Sequence, residues 1–395
     1  MVHITFQRFK IAHSVLLSTL LSGMLLSPVV EALAASEGSG TFALTGSLNT
    51  ARYNHTATLL PNGKVLVVGG LGVNGVYASL ASAELYDPQH GDGRWAVTGS
   101  MSVGRTAFTA TLLANGQVLV AGGSDYQINC YATAELYNPS TGQWTLTGSM
   151  SQPRCLHSAT LLSNGEVLVS GGVNSIYSNN TGTVSGAEIY NPNTGTWTPT
   201  GSLKTSRADA ATSLLQNGKV LSAGGYNNTG NNNPNTYLTS TEIYDPSAGQ
   251  WSFTSSFSPA AGLPTNPVLL TNGDVLIAND AQFYVPNTGS WAATGALPTI
   301  AGPPTKEMLL GNGNALGTGC ECKSTAQYSC GGAPTALAYL YSASGNSWSL
   351  TGSMNYGRFS HTMTLLPSGE VLVAGGITGQ VAYRKVLSSA ELYTP

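Results

Sequence analysis

Charge is scarce in this 395-residue chain: Asp, Glu, Lys and Arg together make up 8% of it, and the formal net charge is −3. Nucleic acids and anionic membrane surfaces are recognised through clustered Lys and Arg, so neither is expected as a partner. The charge-covered helix surface is missing too. With 48 Gly among its residues, the chain suits a turn-rich β protein built from short, buried strands. Catalytic signatures are absent: there is no Gly-x-Ser-x-Gly elbow, no His-Glu-x-x-His and no phosphate-cradling Gly loop. Cysteine is limited to five, an odd count that leaves at least one thiol outside any intramolecular pair.

A long apolar run occurs once. Arg8 and Lys10 precede the stretch from Ile11 to Val30, and Ala32-Leu33-Ala34 follows as a small-x-small cleavage site. This reads as a signal peptide over residues 1–34, then a short linker over 35–41, giving a secreted or cell-surface protein with no membrane insertion after cleavage. Retention of the segment as an anchor is the alternative. In an exported chain disulfides are permitted.

What the chain has in abundance is repetition. Seven Gly-containing pairs stand between apolar runs: Asn62-Gly63, Asn115-Gly116, Asn164-Gly165, Asn217-Gly218, Asn272-Gly273, Asn312-Gly313 and Ser368-Gly369. Each is read as a hairpin of type I′, which requires positive φ at both central residues. A loop, an ELY-type strand, a turn and a Trp-led strand follow, so each unit holds four strands over roughly fifty residues. Paired glycines at Gly69-Gly70, Gly122-Gly123, Gly171-Gly172, Gly224-Gly225 and Gly375-Gly376, with Tyr and Trp at fixed offsets, make the repeat resemble the kelch motif.

That resemblance implies an all-β, seven-bladed propeller over residues 42–395. The blades are placed at about 49–101, 102–150, 151–203, 204–257, 258–297, 298–354, and 355–395 completed by 42–48. All six Trp (Trp95, Trp144, Trp197, Trp251, Trp291 and Trp348) open the outermost strand of a unit. The seventh unit stops before any such strand. The match for it is Phe42 to Leu48, with Phe for Trp, so the N-terminal strand is expected to close the ring.

The copies also serve as a comparison with one another. Arg52, Arg105, Arg154, Arg207 and Arg358 occur in the same five units as Glu84, Glu135, Glu188, Glu242 and Glu391. Units five and six lack both, with Gln282 and Tyr339 at the Glu place. Losses that coincide indicate that each Arg partners its Glu as a structural ring; a ring of Arg recruiting an acidic ligand is the alternative. His55, His157 and His361 share one repeat position and are read as fold residues, as are the repeated Tyr and Trp.

Functional residues are sought where the copies disagree, in the loops between second and third strands. These are rich in Asn, Ser, Thr and Tyr. Tyr77, Tyr126, Tyr131, Tyr177, Tyr226, Tyr237 and Asn232 are the candidate ligand-binding residues. Flat rings beside amides and hydroxyls suit a polysaccharide, and suit a surface protein nearly as well. Unit five almost lacks this loop, which would leave a notch in the rim. Cys130 and Cys155 fall on one face in neighbouring units and are expected to pair. Cys320, Cys322 and Cys330 cluster in unit six, with their pairing open; zinc is disfavoured there by the lack of a nearby His or Cys-x-x-Cys.

Galactose-oxidase-like copper radical oxidases are similar in their propeller. That family's copper site implies a Tyr-His pair, a thioether-linked Cys and Tyr, and a His from a following domain. No Tyr-His dipeptide occurs, so no metal, cofactor or catalytic residue is expected. The expectation is a non-catalytic binding module. A degenerate copper oxidase and a purely structural envelope protein are the alternatives; oligomeric state is left open.

Overall fold

The computed structural model describes residues 40–72, 79–89, 93–125, 130–175, 182–228, 236–258, 266–278, 281–298, 304–319, 334–379 and 384–395. Residues 1–34, Tyr77, Tyr126, Tyr177, Asn232, Cys320, Cys322 and Cys330 lie outside them.

Second strands such as Val65–Val68, Val118–Ala121 and Val167–Ser170 are buried at every residue. A strand that alternates apolar and polar residues has one wet face; these have none, because a neighbouring blade covers each side. Burying one Val or Leu side chain stabilises by about 1.5–3 kcal/mol, so the VLVV-type strands form the main apolar contribution of each unit.

Seven four-stranded sheets result. In the first, Thr56–Leu59, Val65–Val68, Ala83–Asp87 and Arg94–Thr98 pair in sequence order, all antiparallel. Each inner strand contacts the inner strands of the blades on either side, and the last, Thr362–Leu365, contacts the first, Thr56–Leu59. The result is a closed seven-bladed propeller, with a hydrophobic cluster at each blade junction.

Closure is made by the two ends of the propeller. Thr41–Thr45 pairs with Ala390–Thr394 as the fourth strand of the last blade. Phe42 occupies the Trp position there, its ring centroid 4.8 Å from that of Tyr393. In the other blades Tyr and Trp stack with centroids 5.0–5.3 Å apart.

These aromatics also tie one blade to the one before. The indole Nε1 of Trp95 donates to Gly46 O at 2.7 Å, and those of Trp144 and Trp197 donate to Gly99 O and Gly148 O at 2.8 Å. The Tyr86 hydroxyl lies 3.0 Å from Thr45 Oγ1, and those of Tyr137 and Tyr190 lie 2.8 Å from Thr98 and Thr147 Oγ1. The Tyr341 hydroxyl instead donates within its own blade, to Asn346 Oδ1.

The hairpins differ from the type I′ expectation. Gly63 has φ +79°, but Asn62 does not have positive φ. Gly63 N–H donates to Leu60 O and Leu60 N–H to Lys64 O. This is a three-residue loop, a type I turn followed by a glycine bulge, in which only the glycine must be left-handed. The longer loop leaves the first turn residue free to be Pro61, whose fixed φ suits a type I turn.

Candidate binding face

The five Arg–Glu pairs are internal latches. Arg52 Nη2 donates to Glu84 Oε1 at 2.9 Å, and the corresponding pairs Arg105–Glu135, Arg154–Glu188 and Arg207–Glu242 span 2.9, 3.0 and 2.8 Å. Arg358 and Glu391 complete the set, and no side chain among the ten is more than 3% exposed. Each Nη1 donates to the carbonyl of the first glycine of the pair, Gly69, Gly122, Gly171, Gly224 or Gly375. Each carboxylate also accepts a backbone N–H from the loop entering its blade, that of Asn49, Ser102, Ser151, Lys204 or Asn355. Every charge is thereby matched inside the protein. The guanidinium groups face carbonyls and carboxylates.

Gly70 shows why the paired glycine recurs. Its φ is +84°, and a Cβ there would stand 2.4 Å from Tyr53 O. Only glycine lets the second strand and the entering loop approach this closely.

The three histidines span blade junctions. His55 Nε2 lies 3.0 Å from Thr362 Oγ1, His157 Nε2 3.0 Å from Thr109 Oγ1, and His361 Nε2 2.8 Å from Thr318 Oγ1. Burial, reinforced by the Arg154 charge, holds the His157 imidazole down at about 3. Burial and Arg52 likewise push His55 well below its usual value, and burial and Arg358 do the same for His361. All three are therefore neutral at physiological pH. Blades five and six do without the latch: at the Glu register Gln282 pairs across from Ile277, and Tyr339 across from Gly317.

The loops between second and third strands share a face with the loops entering each blade. Bridges Tyr53–Leu71, Thr106–Ser124, Cys155–Val173, Ala208–Tyr226 and Phe359–Ile377 join the two sets. A disulfide between Cys130 and Cys155 fastens the second loop to the start of the third blade.

Of the candidate tyrosines, three can be placed. Tyr131 lies over the Arg105 guanidinium, 5.1 Å from its ring centroid, and so covers a latch. Tyr226 is half-buried and pairs with Tyr237 in a two-stranded extension of the fourth loop. Burial, helped by Asp209 and Tyr237, raises the Tyr226 hydroxyl to about 12. Tyr237 is 49% exposed. In the fifth blade only four residues separate Val275–Ile277 from Gln282–Val285.

Two charged residues escaped sequence reasoning. Asp209 is exposed, with φ +54°, in the loop entering the fourth blade. Lys306 begins the sixth inner strand, in the register position that Thr56, Thr109, Ser158 and Thr362 hold elsewhere, and its Nζ lies 3.4 Å from Asn266 Oδ1. Burial lowers its ammonium, opposed by Glu307 and Asp209, and its charge is felt at His55 and His361. Comparing the copies at that register, where a Lys stands against Thr, Thr, Ser and Thr, would have flagged it.

Among the described residues no group of three or more His, Cys, Asp or Glu is placed to hold a metal ion. Among the described residues the face can stack rings and donate and accept hydrogen bonds through hydroxyls and amides, and it carries the exposed Asp209 and the partly buried Lys306.

The kelch motif matches residues 105–151, 154–204 and 210–258. No curated protein matches the chain. Among solved structures, that of YjhT is similar at 15% identity and a TM-score of 0.55, covering 87% of this chain and 95% of its own. At that identity the likeness is one of fold.

Proposed function

This chain is a kelch-repeat β-propeller, a type of fold that generally serves as a protein- or ligand-binding module, and on that premise we propose that it is a secreted, non-catalytic module binding a neutral polar ligand, foremost a polysaccharide, on its loop face. The observation that carries the proposal is Tyr237. It is a large aromatic ring left 49% exposed on a two-stranded extension of the fourth blade. A rigid, amphipathic ring with few rotatable bonds gives contact area at small entropic cost, and its hydroxyl adds a hydrogen bond. Asp209, Asn266 and the Tyr226 hydroxyl supply acceptors and donors along the same face, the pattern that sugar hydroxyls require.

The test is a thermal-shift screen of the full chain against neutral oligosaccharides and copper, repeated with Tyr237→Ala. A ligand that binds only the native state raises the melting point by mass action. A rise with a saccharide that Tyr237→Ala abolishes supports the proposal. A rise with copper alone would favour oxidase chemistry instead. No shift with any saccharide, together with capture of a defined surface protein that Tyr237→Ala weakens, would transfer the site to a protein partner.

A further inference from the structure

The face opposite the loops carries six Asn-Gly turns, at Asn62, Asn115, Asn164, Asn217, Asn272 and Asn312, each Asn exposed. Asn-Gly is chemically labile. The glycine nitrogen, once it has lost its proton, bonds to the Asn Cγ; ammonia leaves with Nδ2, closing a succinimide. Water then opens the ring to aspartate or isoaspartate. The six share the Asn-Gly pair and differ in the residue that follows it. The structure separates them.

All six share one protection. The attacking Gly N–H is held at 2.9–3.0 Å by the carbonyl of Leu60, Leu113, Leu162, Leu215, Leu270 or Leu310. Each Asn Oδ1 also accepts the N–H two residues on, at 3.0–3.1 Å. Nucleophile and electrophile are thus both engaged, and reaction needs the turn to open.

The leaving group divides them. Asn115 Nδ2 donates to Gln117 Oε1 at 3.0 Å, Asn164 Nδ2 to Glu166 Oε2 at 2.8 Å and Asn272 Nδ2 to Asp274 Oδ2 at 2.8 Å. In two of these three an anion also sits where it opposes both loss of the Gly proton and charge on the tetrahedral oxygen. At Asn62 and Asn217 the residue two on is a lysine, whose positive charge favours both steps. Lys64 and Lys219 are held in place at 2.9 Å by Asp87 and Asp245. Asn314 follows Asn312 and is neutral. Asn62 further borders an open groove of about 440 Å³ with Pro61, Asn115 and Asn138, which admits water.

We propose that, among these six described turns, Asn62 and Asn217 are the succinimide-forming sites, modified to aspartate or isoaspartate ahead of Asn312, while Asn115, Asn164 and Asn272 are protected by their own side-chain partners. The remaining Asn-Gly pair, Asn74-Gly75, lies outside the described residues. Isoaspartate adds a backbone methylene to a turn whose register is set by one bulge. It therefore loosens the hairpin beside it, Thr56–Leu59 with Val65–Val68 or Ala211–Leu214 with Val220–Ala223.

The experiment incubates the full-length protein at mildly alkaline pH, native and in denaturant. Each Asn-Gly peptide is followed by mass spectrometry, and succinimide is trapped with hydroxylamine. The native protein should modify Asn62 and Asn217 first, on the order of tenfold faster than the carboxylate-held pair, Asn164 and Asn272; that factor corresponds to one charge-assisted hydrogen bond. In denaturant the six should converge. Lys64→Glu, at a partly exposed position, should slow Asn62 to the protected class without moving Asn217. Equal native rates at all six sites, native modification led by Asn164 or Asn272, no native modification while the denatured chain converts, or an unmoved Asn62 rate in Lys64→Glu would each overturn the proposal.

Discussion

Phe42 lies against Tyr393, ring centroids 4.8 Å apart, although almost the whole propeller separates them in sequence. The contact closes the ring, together with the pairing of Thr41–Thr45 to Ala390–Thr394 and burial of Leu48 to 3% exposure. Removing residues up to Leu48 should lower the melting temperature sharply and broaden the transition, whereas removing only the residues before Gly40 should leave it unchanged. Phe42→Ala alone should cost about 2 kcal/mol, from lost area and ring stacking. Denaturant melts of the three variants check this; an unaltered midpoint in the longer truncation would show that the other six blades hold the ring by themselves.

The Arg–Glu latches predict strong coupling. Arg105→Met strands the buried Glu135 carboxylate and should cost about 3–5 kcal/mol. Arg105→Met combined with Glu135→Leu should recover much of that loss, because neither charge then needs a partner. A double-mutant cycle in urea measures the coupling, with Lys64→Met and Asp87→Leu, a solvent-accessible, partly buried pair, as the control expected to show less than about 1 kcal/mol.

The buried histidines make stability depend on acid. His157 stays neutral in the folded state down to about 3, while the unfolded chain takes up its proton near 6.5. The unfolded state therefore binds more protons between those values. Stability contributed by the neutral ring is complete above 6.5 and is lost as pH falls toward 3. Each such histidine should contribute a slope of about 1.4 kcal/mol per pH unit within that window. His157→Asn should flatten the melting-temperature profile between pH 6 and 4 by about one histidine's share, and a parallel profile would refute the assignment.

Cys130 and Cys155 close a loop of sequence separation 25, and both sulfurs are buried. Replacing both by Ser should lower stability by about 3 kcal/mol on the loop-entropy account. Since the bond fastens the second loop rather than the ring, circular dichroism should keep its all-β form while limited proteolysis cuts first near Cys130.

Much of this protein was written into its local sequence. Seven turn signals and six Trp counted the blades, because each repeat unit carries its own strands and turn. The coincident loss of Arg and Glu in two units paired the other five, because a buried charge without its partner is too costly to keep. Phe42 in a Trp pattern announced the closing strand, because every other unit carries an aromatic at that position to stack on its Tyr. Tertiary structure alone decided what depends on residues from different blades. It placed His55, His157 and His361 across junctions onto Thr362, Thr109 and Thr318, set Lys306 against Asn266, put Tyr131 against Arg105 and left Tyr237 half exposed. It also chose a type I turn with a bulge over a type I′ turn, a choice made by strand register rather than by the Asn-Gly pair. Repetition encodes what every blade needs; what only one blade does depends on neighbours that the repeat does not name.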